Sequence, residues 1–528
     1  MTSPSLSGAP AAPDTQVLIA GAGSTGLVLA LWLTRLGIRV RIIDQTAEAG
    51  TTSRALAVQS RTLEFYRQVG LADALVEGGV TVAGINLWVK GRKAARVPFR
   101  RIGEGLSPFP SALVFPQDAH ERLLIERLQA LGVTVERRTE LLRFDAADHG
   151  VHATLRQPDG TETGCHADYL AGCDGAHSIV RDVLGITFPG GTYTQRFYVA
   201  DVDAQGPVAD HELHIDLDTA DFLAVFPLKG TGRVRLVGTV RESADENDEL
   251  VFDDVSQRAI EQLRLQVTKV NWFSTYRVHH RVAPAFRRGR AFLLGDAAHI
   301  HSPAGGQGMN TGIGDAVNLA WKLAAVLKHH AGDELLDTYE AERIRFARRL
   351  VATTDRGFTL ATSEGALARQ VRTRLLPLIA PPLLRWPPLR RFLFRTMSQI
   401  GIDYRHSPLS AGKAGSVHGG DRLPWVRTIA GHDNFAPLEA LAWQVHVYGE
   451  ARAELAATCA AHQLPLHVFA WNADMLRAGL KRHAHYLIRP DGYIALAADG
   501  RDSRQLRDYL ARVGRNQSTV PEAVSASK

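Results

Sequence analysis

The sequence predicts an α/β protein of several domains, built around a dinucleotide-binding unit of the Rossmann type. Residues 16–44 read as strand, glycine-rich turn, helix and second strand. Short alternating strands dominate residues 190–290, which is typical of an antiparallel sheet. Strands and helices alternate again from about residue 412 to 515. A chain of 528 residues is too long for one hydrophobic core, so each of these regions is expected to form its own unit.

We predict that residues 16–189 and 291–364 form the cofactor domain, with residues 190–290 inserted as a sheet that covers the substrate. Residues 412–528 form a C-terminal domain, and residues 1–15 a disordered tail. Residues 365–411 are predicted to be a helical connector. Its part from 365 to 402 holds seven arginines and no acidic residue. Arginine and apolar residues interleave there as in membrane-surface helices, but prolines interrupt any long helix, so a packed connector is favoured.

Composition excludes several classes of protein. The net charge of +6 is spread over a large chain, whereas a nucleic-acid-binding protein would concentrate it in a patch. Cys165, Cys173 and Cys459 are far apart, so neither a disulfide framework nor a zinc site is predicted, and a cytoplasmic protein is expected. The N-terminus lacks the pattern of a secretory signal. No apolar run reaches the roughly 18 residues of a membrane span.

The glycine-rich turn predicts a pyrophosphate site. Gly21, Gly23 and Gly26 form G-x-G-x-x-G between the first strand and the first helix. The first glycine makes the turn, the second lets a pyrophosphate approach the backbone, and the third allows close packing of the helix. Asp44 ends the second strand, where its carboxylate can accept hydrogen bonds from ribose hydroxyls. This pattern alone leaves FAD, NAD(P) and an ordinary structural turn open.

Three ordered motifs narrow the choice. They are "GAGSTG" at 21–26, "CDGAHSIVR" at 173–181 and "GDAAHIHSPAGGQGMNTGIGDAVNLAWKLA" at 295–324. Together they resemble the FAD-dependent aromatic hydroxylases, the class A flavoprotein monooxygenases, over about residues 15–410. The resemblance continues into the C-terminal region of longer members such as phenol, pentachlorophenol and polyketide hydroxylases. It implies a glutathione-reductase-type FAD domain and a thioredoxin-like C-terminal domain. The latter lacks Cys-x-x-Cys, so packing or homodimer formation is expected of it rather than electron transfer.

The resemblance also implies the cofactor contacts. Asp296 is expected to accept a hydrogen bond from the ribityl chain, and Pro303 to lie by the reactive face of the ring. Backbone N–H groups of Gly308, Met309 and Asn310, at the start of a helix, are expected to face the N1–C2=O edge, where reduced flavin carries negative charge. Further contacts with the ribityl, phosphate and adenine parts are expected from Thr25, Gln45, Arg54, Gln117, Leu141, Asp174 and Gly295.

The implied reaction is a hydroxylation. NAD(P)H reduces noncovalently bound FAD, O2 adds at the flavin C4a position, and the resulting hydroperoxide transfers OH to a phenolic or polycyclic aromatic substrate. The flavin carries most of the chemistry, so no catalytic side chain is identified. His214 and Arg235 on the inserted sheet, and Tyr404, are candidate substrate-lining residues. An FAD-dependent dehydrogenase, oxidase or halogenase of the same fold, and a non-catalytic flavin-binding protein, remain alternatives.

Overall fold

The structure is a computed structural model that describes residues 13–50, 55–99, 102–216, 222–240, 250–255, 257–302, 305–362, 370–428, 431–499 and 503–513. Its helices are α1 (Ser24–Arg35), α2 (Ser60–Gln68), α3 (Ala72–Gly78), α4 (Gln117–Ala130), α5 (Ile179–Val183), α6 (Gln257–Gln262), α7 (Gly308–Leu327), α8 (Glu334–Thr362), α9 (Leu376–Arg385), α10 (Pro387–Met397), α11 (Ala453–Ala461), α12 (Ala473–Arg477) and α13 (Arg504–Arg512).

The strands are β1 (Thr15–Ala20), β2 (Val40–Asp44), β3 (Ala57–Val58), β4 (Val80–Thr81), β5 (Gly84–Val89), β6 (Arg92–Pro98), β7 (Leu113–Val114), β8 (Val135–Arg137), β9 (Glu140–Ala147), β10 (Gly150–Arg156), β11 (Glu162–Gly172), β12 (Gly190–Gln205), β13 (Leu213–Asp216), β14 (Leu223–Pro227), β15 (Arg233–Thr239), β16 (Gln266–Val282), β17 (Arg287–Arg288), β18 (Ala291–Leu293), β19 (His299–Ile300), β20 (Ala411–Ala414), β21 (Val417–His418), β22 (Gln444–Tyr448), β23 (Leu466–Phe469), β24 (His485–Ile488) and β25 (Ile494–Ala498).

The cofactor domain is built on a parallel sheet. Its strands lie in the order β17-β18-β11-β1-β2-β8, and those from β18 to β8 run parallel to one another. The apolar run Val17–Ala20 is almost fully buried because helices cover both faces of a sheet of this kind. The helices α1 and α7 pack closely on it, and β9 and β10 extend β11 as an antiparallel meander. The carboxyl ends of β1, β2, β11 and β18 therefore meet at one edge.

The second sheet corrects the predicted boundary of the inserted region. Its order is β19-β16-β12-β15-β14-β13-β5-β6, so the hairpin β5–β6 from residues 84–98 joins strands of the 190–290 region. β5 pairs in parallel with β13, with Ile85 opposite Leu213. The sequence analysis had assigned this hairpin to the cofactor domain. Without it the short strand β13 would be an open sheet edge, and such pairing between distant segments leaves no local sequence signal.

The C-terminal region forms a third sheet in the order β21-β20-β25-β24-β22-β23. β22, α11 and β23 form a parallel crossover, and the hairpin β24–β25 followed by α13 completes a thioredoxin-like arrangement. Cys459 lies on α11, and its thiol is buried in an apolar cluster with Leu455, Leu487 and Leu506. Burial raises the pKa of this thiol to about 11, which suits a packing role.

The connector contains α9 and α10, and its described side chains are packed on one side and exposed on the other. Phe394 is 2% exposed and lies in an apolar cluster with Leu56, Val82 and Ile102 of the other domains. The opposite side carries large apolar side chains in contact with solvent, among them Leu378 and Phe392. The sequence analysis favoured a connector packed between domains, and the solvent-exposed side departs from that expectation. Prolines 381 and 382 lie inside α9, where they were expected to break a helix.

Candidate cofactor and active site

The turn between β1 and α1 has the shape of a pyrophosphate site. Gly21 has a φ of +101°, and a Cβ there would overlap the carbonyl oxygen of Cys173. A Cβ on Gly26 would overlap the carbonyl oxygen of Gly21, so this glycine allows the helix to approach the turn. A Cβ on Gly23 would meet no atom nearer than Oε1 of Glu121 at 3.9 Å. The second glycine therefore faces open space beside the N-terminus of α1, where an anion is stabilised.

Asp44 is tied to this turn. Its Oδ2 accepts a hydrogen bond from the Ala22 backbone N–H at 2.7 Å, and its Oδ1 accepts one from the Thr46 backbone N–H at 2.8 Å. Arg137 lies 3.7 Å from the same carboxylate. Gln45 follows as an exposed residue, and Leu141, which is 5% exposed, lies on β9 near the end of β2. The structure thus places Asp44 beside the turn, and Gln45 is its neighbour in the chain.

Glu121 is a residue of this site that the sequence analysis missed. It is 4% exposed, and its Oε1 accepts hydrogen bonds from Ser24 Oγ at 3.3 Å and Gln117 Nε2 at 2.8 Å. Burial raises the pKa of this carboxyl group. Gln117 also accepts a hydrogen bond from the Ala55 backbone N–H at 3.2 Å, next to residues 51–54.

The 295–324 segment closes the site from the other side. Gly295 adopts a φ of +57° and sits against Thr25, whose Oγ1 would lie 2.7 Å from a Cβ at position 295. Thr25 therefore fills the space between the first glycine turn and this segment. Asp296 follows with an exposed side chain, directed out of the buried segment that surrounds it. The predicted contacts Pro303 and Arg54 lie outside the described residues.

The side chain of Asn310 makes hydrogen bonds that the sequence analysis, which considered only its backbone N–H, did not predict. Its Nδ2 donates to the carbonyl oxygens of Ala57 at 2.8 Å and Gly306 at 2.9 Å. Its Oδ1 accepts from the Gln59 backbone N–H and from Thr62 Oγ1, both at 2.8 Å. This side chain fixes the glycine-rich loop and the start of α7 to β3 and α2. The N-terminus of α7, with Gly308 and Met309 half-buried, therefore has a fixed position for stabilising negative charge.

Unpartnered polar atoms lie at two places around this arrangement. His301 Nε2 and Ser302 Oγ are buried without a hydrogen-bond partner among the described residues, immediately before the glycine-rich loop. Burial lowers the pKa of His301 to about 4, so its ring is neutral at pH 7. Asp174 Oδ1 is also buried without such a partner, although its Oδ2 accepts from the Val180 N–H at 3.1 Å. Together with the open space at Gly23, these atoms fit a large polar ligand such as FAD.

Two of the candidate substrate-lining residues are buried and bonded within the second sheet. His214 is 1% exposed, and its ring nitrogens lie 3.0 Å from Trp88 Nε1 and 2.8 Å from Asp210 Oδ1. Arg235 is fully buried and holds Asp201 in a bidentate pair with distances of 2.5 and 2.8 Å. Its Nη1 also donates to the Ala55 carbonyl at 3.4 Å. Arg235 thus joins the second sheet to the chain just after residues 51–54, and neither side chain offers an exposed polar group.

Tyr404 corrects a prediction, because it lies at the contact between α8 and the C-terminal domain. It is 2% exposed, and its hydroxyl accepts from Arg343 Nη1 at 2.8 Å. Its ring lies 4.4 Å from the ring of Tyr493. A side chain enclosed by these partners does not line a substrate site. The sequence analysis named Tyr404 as a candidate without a contact to support it, because spacing along the chain does not show which face a loop residue occupies.

A buried ionic junction lies beneath α7. It consists of six side chains, each at most 2% exposed: Asp315, Lys322, Glu342, Arg343, Arg489 and Asp491. Glu342 Oε1 lies 2.7 Å from Arg489 Nη1, and its Oε2 lies 2.9 Å from Lys322 Nζ. Burial alone would raise the pKa of Glu342, but the charges of Arg489 and Lys322 outweigh burial and lower it. Burial lowers the pKa of Lys322 to about 8.

The ionic junction reaches from the C-terminal domain to the turn that carries Asp296. Asp315 Oδ1 lies 2.6 Å from Arg343 Nε, while its Oδ2 accepts from the Gly295 N–H at 3.0 Å and lies 2.7 Å from His299 Nε2. On the other side, Asp491 accepts from Trp321 Nε1 at 3.1 Å. One carboxylate of α7 thus holds the turn that carries Asp296, and the C-terminal domain packs against the same helix.

Comparison with known proteins identifies the fold and then the family. The sequence profile of the FAD-binding domain family, described as "FAD binding domain", matches residues 14–354. The chain is 37% identical over 514 residues to 6-methylpretetramide 4-monooxygenase of Streptomyces rimosus, covering 92% of this chain and 91% of that protein. It is 34% identical to pentachlorophenol 4-monooxygenase of Sphingobium chlorophenolicum, over 65% of this chain and 64% of that one.

A solved structure extends the likeness to the whole fold. Anhydrotetracycline hydroxylase OxyS from Streptomyces rimosus superimposes with a TM-score of 0.76 at 30% identity, covering 96% of this chain and 100% of that one. The chain therefore belongs to the FAD-binding domain family, as an aromatic hydroxylase of the class A flavoprotein type. It is a flavin-dependent monooxygenase, and FAD is its cofactor. No helix among the described residues is long and apolar enough to cross a membrane.

Proposed function

We propose that this enzyme hydroxylates a phenolic, fused-ring aromatic compound of the polyketide type, with NAD(P)H as reductant and O2 as the source of oxygen. The observation that carries the proposal is the 37% identity to 6-methylpretetramide 4-monooxygenase, which spans 92% of this chain. The likeness to an anhydrotetracycline hydroxylase points to a substrate of the same kind. The free thiols Cys165, Cys173 and Cys459 suit a reaction in the reducing cytoplasm.

The residues that would hold FAD divide into three groups. The open space at Gly23 and the N-terminus of α1 would take the pyrophosphate, with Asp44 beside the ribose. Asp296 would accept a hydrogen bond from the ribityl chain. The α7 N-terminus would stabilise negative charge on the ring edge without a lysine. When bound, FAD supplies the hydride acceptance and oxygen activation that no side chain here provides.

The protein's own contribution would be to position the cofactor and the substrate, to enclose the site and to exclude water from it. Asn310 fixes the glycine-rich loop to β3 and α2, which holds one wall of the site rigid. The second sheet, which Arg235 fixes to residue 55, would cover the site. A neutral His301 beside the loop can give or take a hydrogen bond without introducing a second charge. Exclusion of water from an enclosed site would suppress the release of hydrogen peroxide, which consumes NAD(P)H and O2 without hydroxylating the substrate.

The test is a substrate screen with three readouts. Purified protein with bound FAD is mixed with NADH or NADPH and a series of fused-ring phenols. We expect a matching compound to accelerate NAD(P)H consumption, to give a product heavier by one oxygen atom, and to take that atom from labelled O2. Release of all oxygen as hydrogen peroxide with every compound would instead support an oxidase. NAD(P)H consumption without oxygen uptake would support a dehydrogenase.

A further inference from the structure

A stripe of exposed apolar side chains runs from the residue before α9, along one face of that helix, to the residue after it. Leu375, Leu378, Ile379, Leu383 and Trp386 are 47, 74, 43, 47 and 59% exposed. Their spacing of i, i+3, i+4, i+8 and i+11 places them on a single helical face. We name these five residues the α9 stripe. Monomeric soluble proteins rarely leave so continuous an apolar surface in water, so the stripe is expected to have a partner.

The helix that follows extends this surface and anchors it. On α10, Phe392 is 63% exposed, whereas Phe394, two residues later, is 2% exposed and packed among apolar residues of the other domains. A Cβ on Gly103 would overlap the ring of Phe394, so the loop at Gly103 fits closely over that ring. The inner side of the connector is therefore fixed to the protein, and the outer side is held toward solvent.

The charged residues of the connector itself have one sign. Arg374, Arg390 and Arg391 are exposed on the same connector, and residues 365–402 contain no acidic residue. β6 packs against α9 and adds the exposed Arg92 and Lys93. Two copies of this chain facing each other through the surface would bring like charges together, which disfavours a homodimer here. An apolar face bordered by arginines matches a surface that is apolar inside and negatively charged outside.

We propose that the α9 stripe and Phe392 bind the surface of an anionic lipid bilayer. α9 would lie in the plane of the interface, with its apolar side chains among the acyl chains and the arginines at the lipid phosphates. The described residues contain no helix able to span a membrane, so this is a peripheral and reversible contact. The inference is independent of the proposed substrate, because it rests on a surface outside the cofactor site.

Co-sedimentation with vesicles tests the proposal. Full-length protein with bound FAD is mixed with vesicles of pure phosphatidylcholine, or with vesicles containing about a quarter phosphatidylglycerol, at physiological ionic strength. We expect binding to the anionic vesicles only, weakening as salt is raised. Leu378→Glu should lower the partition coefficient about tenfold, because burial of a leucine is replaced by a charge of the wrong sign. Leu476→Glu on α12, where the leucine is 67% exposed, is the matched control and should bind as the wild type does.

Several results would overturn the proposal. If the wild-type protein does not sediment with the anionic vesicles, the proposed lipid binding is wrong. Equal binding to neutral vesicles, or equal losses in Leu378→Glu and Leu476→Glu, would show that the surface is not specific. Light scattering that finds a wild-type dimer and a Leu378→Glu monomer would assign the stripe to self-association instead. Both positions are exposed, so the flavin spectrum and thermal midpoint of each variant should match the wild type and exclude misfolding.

Discussion

The glycine turn between β1 and α1 and the ionic junction beneath α7 support the same cofactor domain. The structure of the turn depends on the backbone, whereas that of the junction depends on buried charged side chains. At the turn, the important features are backbone N–H groups and the absence of side chains, as the overlap that Gly21 avoids shows. At the junction, three acidic and three basic side chains are buried at 2% exposure or less. The turn is local, so its residues lie within six positions. The junction joins Asp315 to Asp491, so its stability depends on the domains being assembled.

The junction should show the largest effect on stability. Glu342→Gln removes the negative charge that faces Arg489 and Lys322, so Lys322 loses its ion pair and the junction buries one positive charge in excess. We expect the free energy of unfolding in urea to fall by about 3–5 kcal/mol. Lys481→Met, which breaks the half-exposed pair with Asp499, is the control and should cost less than about 1 kcal/mol. Equal losses in the two variants would contradict the contrast between buried and exposed pairs.

The two glycines of the turn should separate folding from cofactor binding. In Gly21→Ala the new Cβ overlaps backbone at a positive φ, so we expect a loss of about 2–4 kcal/mol in apoprotein stability. In Gly23→Ala the new Cβ meets no protein atom within 3.9 Å, so the apoprotein should be as stable as the wild type. FAD affinity should nevertheless fall at least about tenfold, because the Cβ occupies the space of the pyrophosphate. Urea unfolding and FAD titration measure the two effects, and unchanged affinity in Gly23→Ala would remove the pyrophosphate from this turn.

Asp296 tests the same separation between stability and cofactor binding at the turn that follows β18. Asp296→Ala removes an exposed carboxylate, so the stability of the apoprotein should change by less than about 0.5 kcal/mol. The lost charge-assisted hydrogen bond to the ribityl chain should weaken FAD binding by about 1.5–3 kcal/mol, roughly ten- to hundredfold. Asp145→Ala, at an exposed carboxylate on β9, is the matched control for fluorescence titration. Full FAD affinity in Asp296→Ala would show that Asp296 is not a ligand.

The smallest expected effect is a pH dependence at the junction. The folded protein holds the pKa of Glu342 below its ordinary value of 4.5, because Arg489 and Lys322 face it. The unfolded chain therefore binds more protons at this group, and its stabilising contribution is lost as the pH falls below 4.5. The stability difference between the wild type and Glu342→Gln should narrow over that range in urea unfolding. A constant difference down to pH 3 would show that Glu342 does not titrate in this way.

Sequence could predict the parts of the site whose chemistry is local. Neighbouring residues are enough to predict the role of the G-x-G-x-x-G turn, of Asp44 at the end of β2 and of the glycines before α7. In the structure, Asp44 lies beside the turn at the carboxyl ends of the parallel strands. FAD as cofactor and the monooxygenase class are confirmed by the family match and the relatives. The contact of each of these residues with FAD remains a prediction.

The parts that sequence did not predict depend on long-range pairing. Glu121 looks like a surface residue on the helix α4, and only the fold places it beneath the first glycine turn. Tyr404 was a candidate substrate-lining residue, yet its packing against Arg343 and Tyr493 buries it at the contact with the C-terminal domain. The β5–β6 hairpin joins the second sheet through β13, which lies over 110 residues further along the chain. None of these partners leaves a periodicity or spacing that a single sequence can show.

The ionic junction has a consequence for how such enzymes can be recombined. Arg489 and Asp491 come from the C-terminal domain, while their partners Glu342 and Trp321 come from α8 and α7. A chimera that takes residues after 411 from a relative would keep its charges balanced only if that relative presents the same partners. If the relative lacked these partners, a chimera joined at this boundary would bury an unpaired charge next to α7. Matched charges across the domain boundary therefore decide where this sequence can be joined to that of a relative without loss of folding. A junction placed in the linker would separate Arg489 and Asp491 from their partners.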